Sequence, residues 1–378
     1  MRRANQFLYT KIQLPFKIKE PTLAFGSHLK NTTCFLNGNT AYLTKVHQDL
    51  SNPKDLLNFE RSIRYFLKKR PKRFACDLHP EYQSSKSAQL YARRRRLYAI
   101  QHHHAHIASC LAENELLNQR VIGVAFDGTG LGIDNHLWGA EFLLCDYKKF
   151  IRKAHLKEIP LLGGEQAILE PWRLGCVWLY LAYGDRFLNL KIDFSRHMQR
   201  KKWAVLKQML MLRFNTPLAS SMGRLFYAVA SIVLDKHKAD FEADLAIELE
   251  RIGATSCPTT TPYHYSIAES NNKYIINPVP IFKGVVQDLT NGVPEAKIAY
   301  KFHLTVAHLV NALCVILRKD TRINRIVLSG GVFQNKLLLR LVLDLLYTNN
   351  FKVFTHQRLS CGDAGISLGQ AAIANFGS

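Results

Sequence analysis

At residue 120 the order of secondary-structure signals starts over, and no other feature constrains the fold as much. Upstream, three short β-like runs, TLAFG, TTCFLN and TAYLTK, precede a helical stretch, NPKDLLNFERSIRYFLKK. The turn NGN at 37–39 marks a hairpin between the last two runs. Asn52 or Ser51, with Pro53 behind it, marks the helix start. A strand (RFACDLHP), a helix (SSKSAQLYARRRR), a strand (LYAIQHH) and a helix (HAHIASCLAENELL) follow. Downstream, RVIGVAFDGTGLG, HLWGAEFLLCDY and FIRKAHLKEI repeat the three-strand opening. The helix AHLVNALCVILRK, strand RIVLSGGV, helix FQNKLLLRLVLDLLY, strand FKVFTH and helix GDAGISLGQAAIANF then repeat the alternation. A mostly helical stretch, about 170–302, interrupts the second unit.

Two such units predict a duplicated α/β fold whose glycine turns face each other across a cleft. The expected boundaries are a basic linker-like segment at 1–20, a first lobe at 21–119 and a second lobe at 120–378. The last helix, 362–377, is free to return to the first lobe. With 378 residues, 47% of them hydrophobic, the chain has apolar material for two lobes.

Composition narrows the function classes. No uninterrupted apolar run approaches the ~18 residues of a membrane span, so no membrane partner is expected. The basic opening has no apolar core or cleavage site of a secretory signal, and Pro15 argues against a transit peptide. Eight scattered cysteines without a C-x-x-C pair point to buried, reduced thiols in a cytoplasmic protein. The balance of 51 Lys+Arg against 29 Asp+Glu, a net charge of +22, suits nucleic acid, an anionic ligand or an acidic partner. A proteome that is basic throughout gives the same balance. The densest cluster, ARRRRL at 92–97, reads more plainly as a solvated helix face than as a binding patch.

The chemistry concentrates at four places. In QHHHAHIAS, His102 and His106 are four apart and share one helix face, the spacing of two ligands to one divalent metal. Polar capping of the helix is the competing explanation, and His103 and His104 fall on other faces. In AFDGTG, Asp127 stands where an apolar strand meets a glycine turn, either aimed into the cleft or merely organising its turn. LSGGVFQNK repeats the strand–glycine–helix device, with Asn335 expected one turn into the helix. CGDAGISLGQ puts Asp363 at the start of the last helix, where capping is the commonest role. Taken together, these residues fit a nucleotide phosphate cradled by backbone N–H groups beside a metal held by His102, His106, Asp127 and Asp363.

Those motifs, with WGAEFL, GGEQAILEPWRLG, SSMGRLFYAVA, AFGSHLKNTTCFL and CDLHPEY, resemble the C-terminal half of the hydrogenase-maturation carbamoyltransferases of HypF type. The resemblance runs in order from about Arg2 to the C-terminus. It implies the two-lobed actin/sugar-kinase/heat-shock-ATPase fold. It also implies transfer of a carbamoyl group from ATP-derived carbamoyl-adenylate to the C-terminal cysteine of a hydrogenase-maturation partner, for the cyanide ligand of [NiFe]-hydrogenase. By the resemblance, His102, His106, Asp127 and Asp363 hold the metal, and iron, zinc and manganese all suit two imidazoles and two carboxylates. Gly128, Ser329, Gly330 and Gly331 contact phosphate, and Asn335 the nucleoside. Lys30 meets carbamoyl or phosphate as a catalytic residue with Asp127, while Glu165 and Arg173 line the cleft.

Departures from that family accompany the match. The upstream acylphosphatase-like, zinc and adenylate-forming domains have no counterpart here, which implies a separate adenylate-forming protein. Tyr227 stands where an aspartate is usual, and YLTKVHQDL departs from the usual run. A tRNA threonylcarbamoyl-type transferase, contacting tRNA through its charge, and a truncated nucleotide-binding scaffold are the alternative readings.

Overall fold

The computed structural model describes residues 8–93, 95–258 and 261–377. Its six-stranded sheet runs in the order Leu8–Gln13, Thr40–Thr44, Cys34–Asn37, Thr22–Ala24, Arg73–Asp77 and Arg96–Ile100. Neighbours are antiparallel as far as Thr22–Ala24 and parallel beyond it. The second sheet contains the path Phe150–Leu156, Leu137–Cys145, Val121–Leu131, Arg325–Ser329 and Lys352–Phe354. It repeats the last four of those pairings, two antiparallel and then two parallel. The duplication expected from the element order is therefore a duplication of topology.

Two helices, His102–Glu113 and Ile366–Phe376, lie between the sheets. Ala105, Ile107 and Leu111 of one and Leu368 and Ala372 of the other share a buried cluster with Ala24 and Leu36 of the first sheet and Val121 and Ala125 of the second. The lobes thus meet across a common apolar layer, whose burial is the dominant favourable term in such a fold. The helices cross very closely: a Cβ on Gly369 would stand 1.8 Å from the Ala105 carbonyl oxygen. The Gln370 side-chain amide donates to the Gly26 carbonyl and accepts from the Gly26 N–H, at 3.2 and 2.9 Å. Arg73 donates to the carbonyls of Ala374 and Gly377, each at 2.8 Å. The chain's last helix is thereby fastened to its first sheet.

Several boundaries differ from the sequence reading. Residues 8–13 are an edge strand rather than linker, with Ile12 buried opposite Ala41, while residues 1–7 lie outside the described part. The histidine helix begins at His102 and not His104, because the Gln101 side chain caps it by accepting from the His104 N–H at 2.9 Å. The inserted region contributes strands as well as helices: Leu218–Ser221 and the hairpin Ser266–Ser270/Lys273–Asn277 extend the second sheet. The insertion boundary at 302 falls inside one helix, Glu295–Thr321. That helix is long and apolar enough to cross a membrane, but 67% of its most apolar window is buried, as befits a core helix. The ARRRRL cluster is no helix face, since the helix Gln83–Ala92 ends on its first residue and Arg96 and Leu97 belong to a strand. Its Arg94 lies outside the described residues.

Candidate active site

The N-cap at Gln101 sets the phase of the helix so that His102 and His106 both face the junction of the lobes. Asp127 comes from the long strand Val121–Leu131, and Asp363 from the short 3₁₀ turn Asp363–Gly365 that leads into the last helix. Asp127 Oδ2 lies 2.9 Å from His106 Nε2 and 3.3 Å from His102 Nε2. Asp363 Oδ1 is 3.7 Å from each. One donor atom from each of the four residues falls within 4.8 Å of all the others.

The far nitrogens explain this orientation. His102 Nδ1 meets Asp77 Oδ2 at 2.7 Å, and His106 Nδ1 meets Ser329 Oγ at 3.4 Å. Both imidazoles are therefore turned with Nε2 toward the carboxylates, the arrangement in which an outer partner sets tautomer and ring angle for a metal ligand. Two imidazoles and two carboxylates fit a divalent cation, and such a set does not distinguish iron, zinc or manganese. A second cluster, Asp134, His136 and Glu158, is different in kind. The Arg152 guanidinium lies 3.2 Å from Asp134 and 3.6 Å from Glu158 and already supplies positive charge there.

Electrostatics express the same crowding. Burial pulls His102 and His106 down, but the carboxylates of Asp77, Asp127 and Asp363 for His102, and of Asp127 and Asp363 for His106, override it and hold both above the ordinary imidazole range. Burial likewise raises Asp127 and Asp363, yet hydrogen bonds from the two histidines bring Asp127 well below the usual carboxylate range and Asp363 to about 2. His103 and His104 behave as core residues, lowered by burial, with His104 to about 4. His104 Nε2 sits 2.7 Å from the Asp146 carbonyl, whereas His103 Nε2 has no partner.

Beside the cluster opens a cavity of about 290 Å³, walled by residues that include Asp127, Gly128, Gly331 and Asp363 and also Tyr227, Glu242 and Glu250. Lys30 lines it from the first lobe, 3.1 Å from Glu242. Asn335 lines it too, but as the N-cap of the helix Lys336–Thr348 rather than one turn in. Its Oδ1 accepts from the Leu338 N–H at 2.8 Å, and its Nδ2 lies 2.9 Å from His303 Nε2.

The chain matches a family model described as the HypF Kae1-like domain over residues 17–113. It matches the second subdomain of the carbamoyltransferase Kae1-like domain over residues 123–370. The chain belongs to the HypF carbamoyltransferase family. A HypF carbamoyltransferase of Synechocystis sp. is 32% identical over 98% of this chain and 49% of its own length. A HypF homolog of Cupriavidus necator is 31% identical over 94% of this chain and 91% of its own. Thus the chain spans about half the length of most curated HypF relatives it matches and nearly all of one. A crystal structure of full-length HypF, in a phosphate- and nucleotide-bound form, superposes with a TM-score of 0.90 at 37% identity. It covers 97% of this chain and 47% of that one. The fold is accordingly the two-lobed actin/sugar-kinase/heat-shock-ATPase type.

Within this HypF-family scaffold, several residues sit elsewhere than the sequence suggested. Ser329, expected on phosphate, is fully buried behind His106, with its hydroxyl also 2.9 Å from His356 Nε2. His356 Nδ1 continues to Glu113 Oε2 at 2.8 Å. Gly330 donates its N–H to the Cys361 carbonyl at 2.8 Å, so it too faces away. Its φ of +104°, with Phe126 O 2.1 Å from where a Cβ would be, explains the glycine. Gly128 and Gly331 do line the cavity, but both N–H groups donate to Asp127 Oδ1, at 2.8 and 3.3 Å. Glu165 is exposed beside the short helix Gln166–Leu169, and Arg173 pairs with Glu170 at 2.6 Å. Neither is among the residues that wall the cavity.

Asp77 and Arg224 escaped the sequence reading. Asp77 had a signal, a carboxylate ending an apolar strand in FACDLHP, the same signal that marked Asp127. Arg224 had none, being one of many basic residues.

Proposed function

We propose that the chain transfers a carbamoyl group from carbamoyl-adenylate to the C-terminal cysteine thiol of a hydrogenase-maturation partner. A separate adenylate-forming protein supplies the activated carbamate. The observation that carries this reading is the convergence of His102, His106, Asp127 and Asp363 beside a cavity large enough for part of a nucleotide, in a chain of the HypF family.

A divalent metal held by those four residues would supply charge to neutralise phosphate or polarise the carbamoyl carbonyl. The remaining work belongs to the protein. An acyl-adenylate is already activated, so catalysis is chiefly orientation and stabilisation of developing charge. The partner's thiolate forms the C–S bond, the C–O bond to phosphate breaks, and AMP leaves with the electron pair. Lys30 reaches the cavity from the opposite lobe, where it can meet carbamoyl or phosphate oxygen. The chain's own thiol near the site, Cys361, is a poor nucleophile, because burial pushes it up to about 12. A thiol delivered by a partner fits better.

The test supplies purified chain with preformed carbamoyl-adenylate and a peptide ending in cysteine, and follows the mass of the peptide. Carbamoyl transfer that disappears in His102→Ala/His106→Ala supports the assignment. No transfer, with nucleotide binding intact, defeats it. Salt-sensitive binding of tRNA would then favour the threonylcarbamoyl-type reading, toward which the charge of +22 points.

A further inference from the structure

Among the described residues, two cations line the cavity, and only one of them has a carboxylate partner. Lys30 is paired with Glu242 at 3.1 Å. Arg224, 8% exposed, makes no ion pair with any described residue. It projects from the first turn of the helix Met222–Val233, whose cap Ser221 accepts from the Arg224 N–H at 3.2 Å. Its Nη2 donates to Thr129 Oγ1 at 3.1 Å, and its buried Nε has no partner. The same Nη2 stands 3.2 Å from the position a Cβ on Gly128 would occupy, so it abuts the glycine that follows Asp127.

A guanidinium carries five N–H donors and stays charged in a protein. Burying one without a paired carboxylate is unfavourable, and Asp127 and Glu242 act on Arg224 only through space, with no ion pair to either. Tyr227, one turn further along the same helix, offers only its ring, 5.4 Å from the guanidinium carbon. The Tyr227 hydroxyl is taken up by the Ala243 N–H at 2.6 Å. Meanwhile the backbone donors of Gly128 and Gly331 both point at Asp127. Those two amides are therefore not free for an anion, and what the protein itself offers a bound anion here, beside any metal at the His/Asp cluster, comes from side chains.

We propose that Arg224 is the anion receptor of this cavity, its guanidinium donating to the oxygens of a phosphate group placed beside the His/Asp cluster. The inference deepens the carbamoyl-adenylate reading, on which it rests for the identity of the ester but not for its charge. When the carbamoyl carbon leaves its phosphate oxygen, the electron pair stays on that oxygen. Arg224 stands where it can neutralise the charge that appears. A planar fork matches two phosphate oxygens at once, which a lysine cannot do.

The experiment titrates the chain with AMP, adenosine and inorganic phosphate by calorimetry, for wild type, Arg224→Met and Arg224→Lys. Arg224→Met is expected to weaken AMP and phosphate on the order of 10- to 100-fold, while adenosine is unchanged. Arg224→Lys falls between. Thermal melts establish which variants fold. Should Arg224→Met not fold, Arg224→Lys decides, with at least a several-fold loss expected. Wild-type affinity for phosphate and AMP in the deciding variant overturns the inference, as does wild type that binds neither. Arg224-dependent phosphate binding without AMP binding would keep the receptor and remove the adenylate reading. AMP binding indifferent to Arg224 would do the reverse.

Discussion

Asp77 Oδ2 lies 2.7 Å from His102 Nδ1, and both side chains are sealed from water. This contact fixes His102 with Nε2 toward Asp127. Asp77→Asn keeps the shape but removes the charge that orients the ring. Metal affinity is expected to fall about 10- to 100-fold with little change in melting temperature. Competition against a chromophoric chelator reads this directly, and an unaltered dissociation constant would show that packing alone holds the imidazole.

Ser329 touches His106 at 3.4 Å and His356 at 2.9 Å, away from the cavity. Ser329→Ala should therefore leave AMP affinity unchanged while loosening the metal several-fold, since the hydroxyl supports a ligand and not the nucleotide. Parallel titrations of AMP and metal separate the two. Loss of AMP affinity alone would restore the phosphate role that the SGG motif suggested.

The site should also make stability depend on pH in opposite senses with and without metal. Burial opposes charge on His102 and His106, but the carboxylates win and raise both. A raised imidazole stabilises fully below its unfolded value of about 6.5, and that contribution is lost as pH rises through the higher folded value. Asp363, lowered to about 2, and Asp127 contribute above their unfolded values near ~3.9 and lose that contribution as pH falls. Metal-free chain should melt lower on going from about pH 6 to about pH 8, whereas the increment from added metal should grow as imidazole protons are displaced. Melts with chelator or with metal test it, and a pH-independent increment would mean that the histidines are not ligands.

Gly369→Ala sets two effects against each other. Intrinsic helix propensity favours alanine by about 1 kcal/mol. The new Cβ, however, would stand 1.8 Å from the Ala105 carbonyl oxygen, so the two central helices must separate. Overpacking of this kind costs about 1–3 kcal/mol or more, and the clash with backbone puts it at the upper end. A net loss of about 2 kcal/mol is expected in the denaturant midpoint, and a stabilised variant would show that the helices can move apart freely.

Local signals carried much of this protein. The asparagine cap and Pro53 located a helix that does run Pro53–Leu67, and the NGN turn located the hairpin that pairs Cys34–Asn37 with Thr40–Thr44. Four-residue spacing put His102 and His106 on one face, and carboxylates at strand or helix ends marked Asp127 and Asp363. The edge strand at 8–13 was missed because its basic flanks resemble a linker, and it is recognisable only through its pairing with Thr40–Thr44. Glu165 and Arg173 do not line the cavity, since Glu165 is exposed and Arg173 is held by Glu170, and nothing local in the sequence distinguishes such residues from ones that face it.

By itself the sequence determined the repeated strand–helix order, because hydrophobic period and turn chemistry are local properties, and it named four residues, two histidines and two aspartates, of types able to bind one cation. Only the tertiary structure decided which donors are free. The Ser329 hydroxyl is consumed behind His106, the Gly128 and Gly331 amides by Asp127, and Asp77 is held to His102 from a strand 25 residues earlier in the same lobe. Arg224 alone of the cavity's cations, among the described residues, is left without a carboxylate. Hydrogen-bond satisfaction depends on groups distant in the chain that burial forces together, so it is settled by packing and leaves no trace in any single stretch of residues.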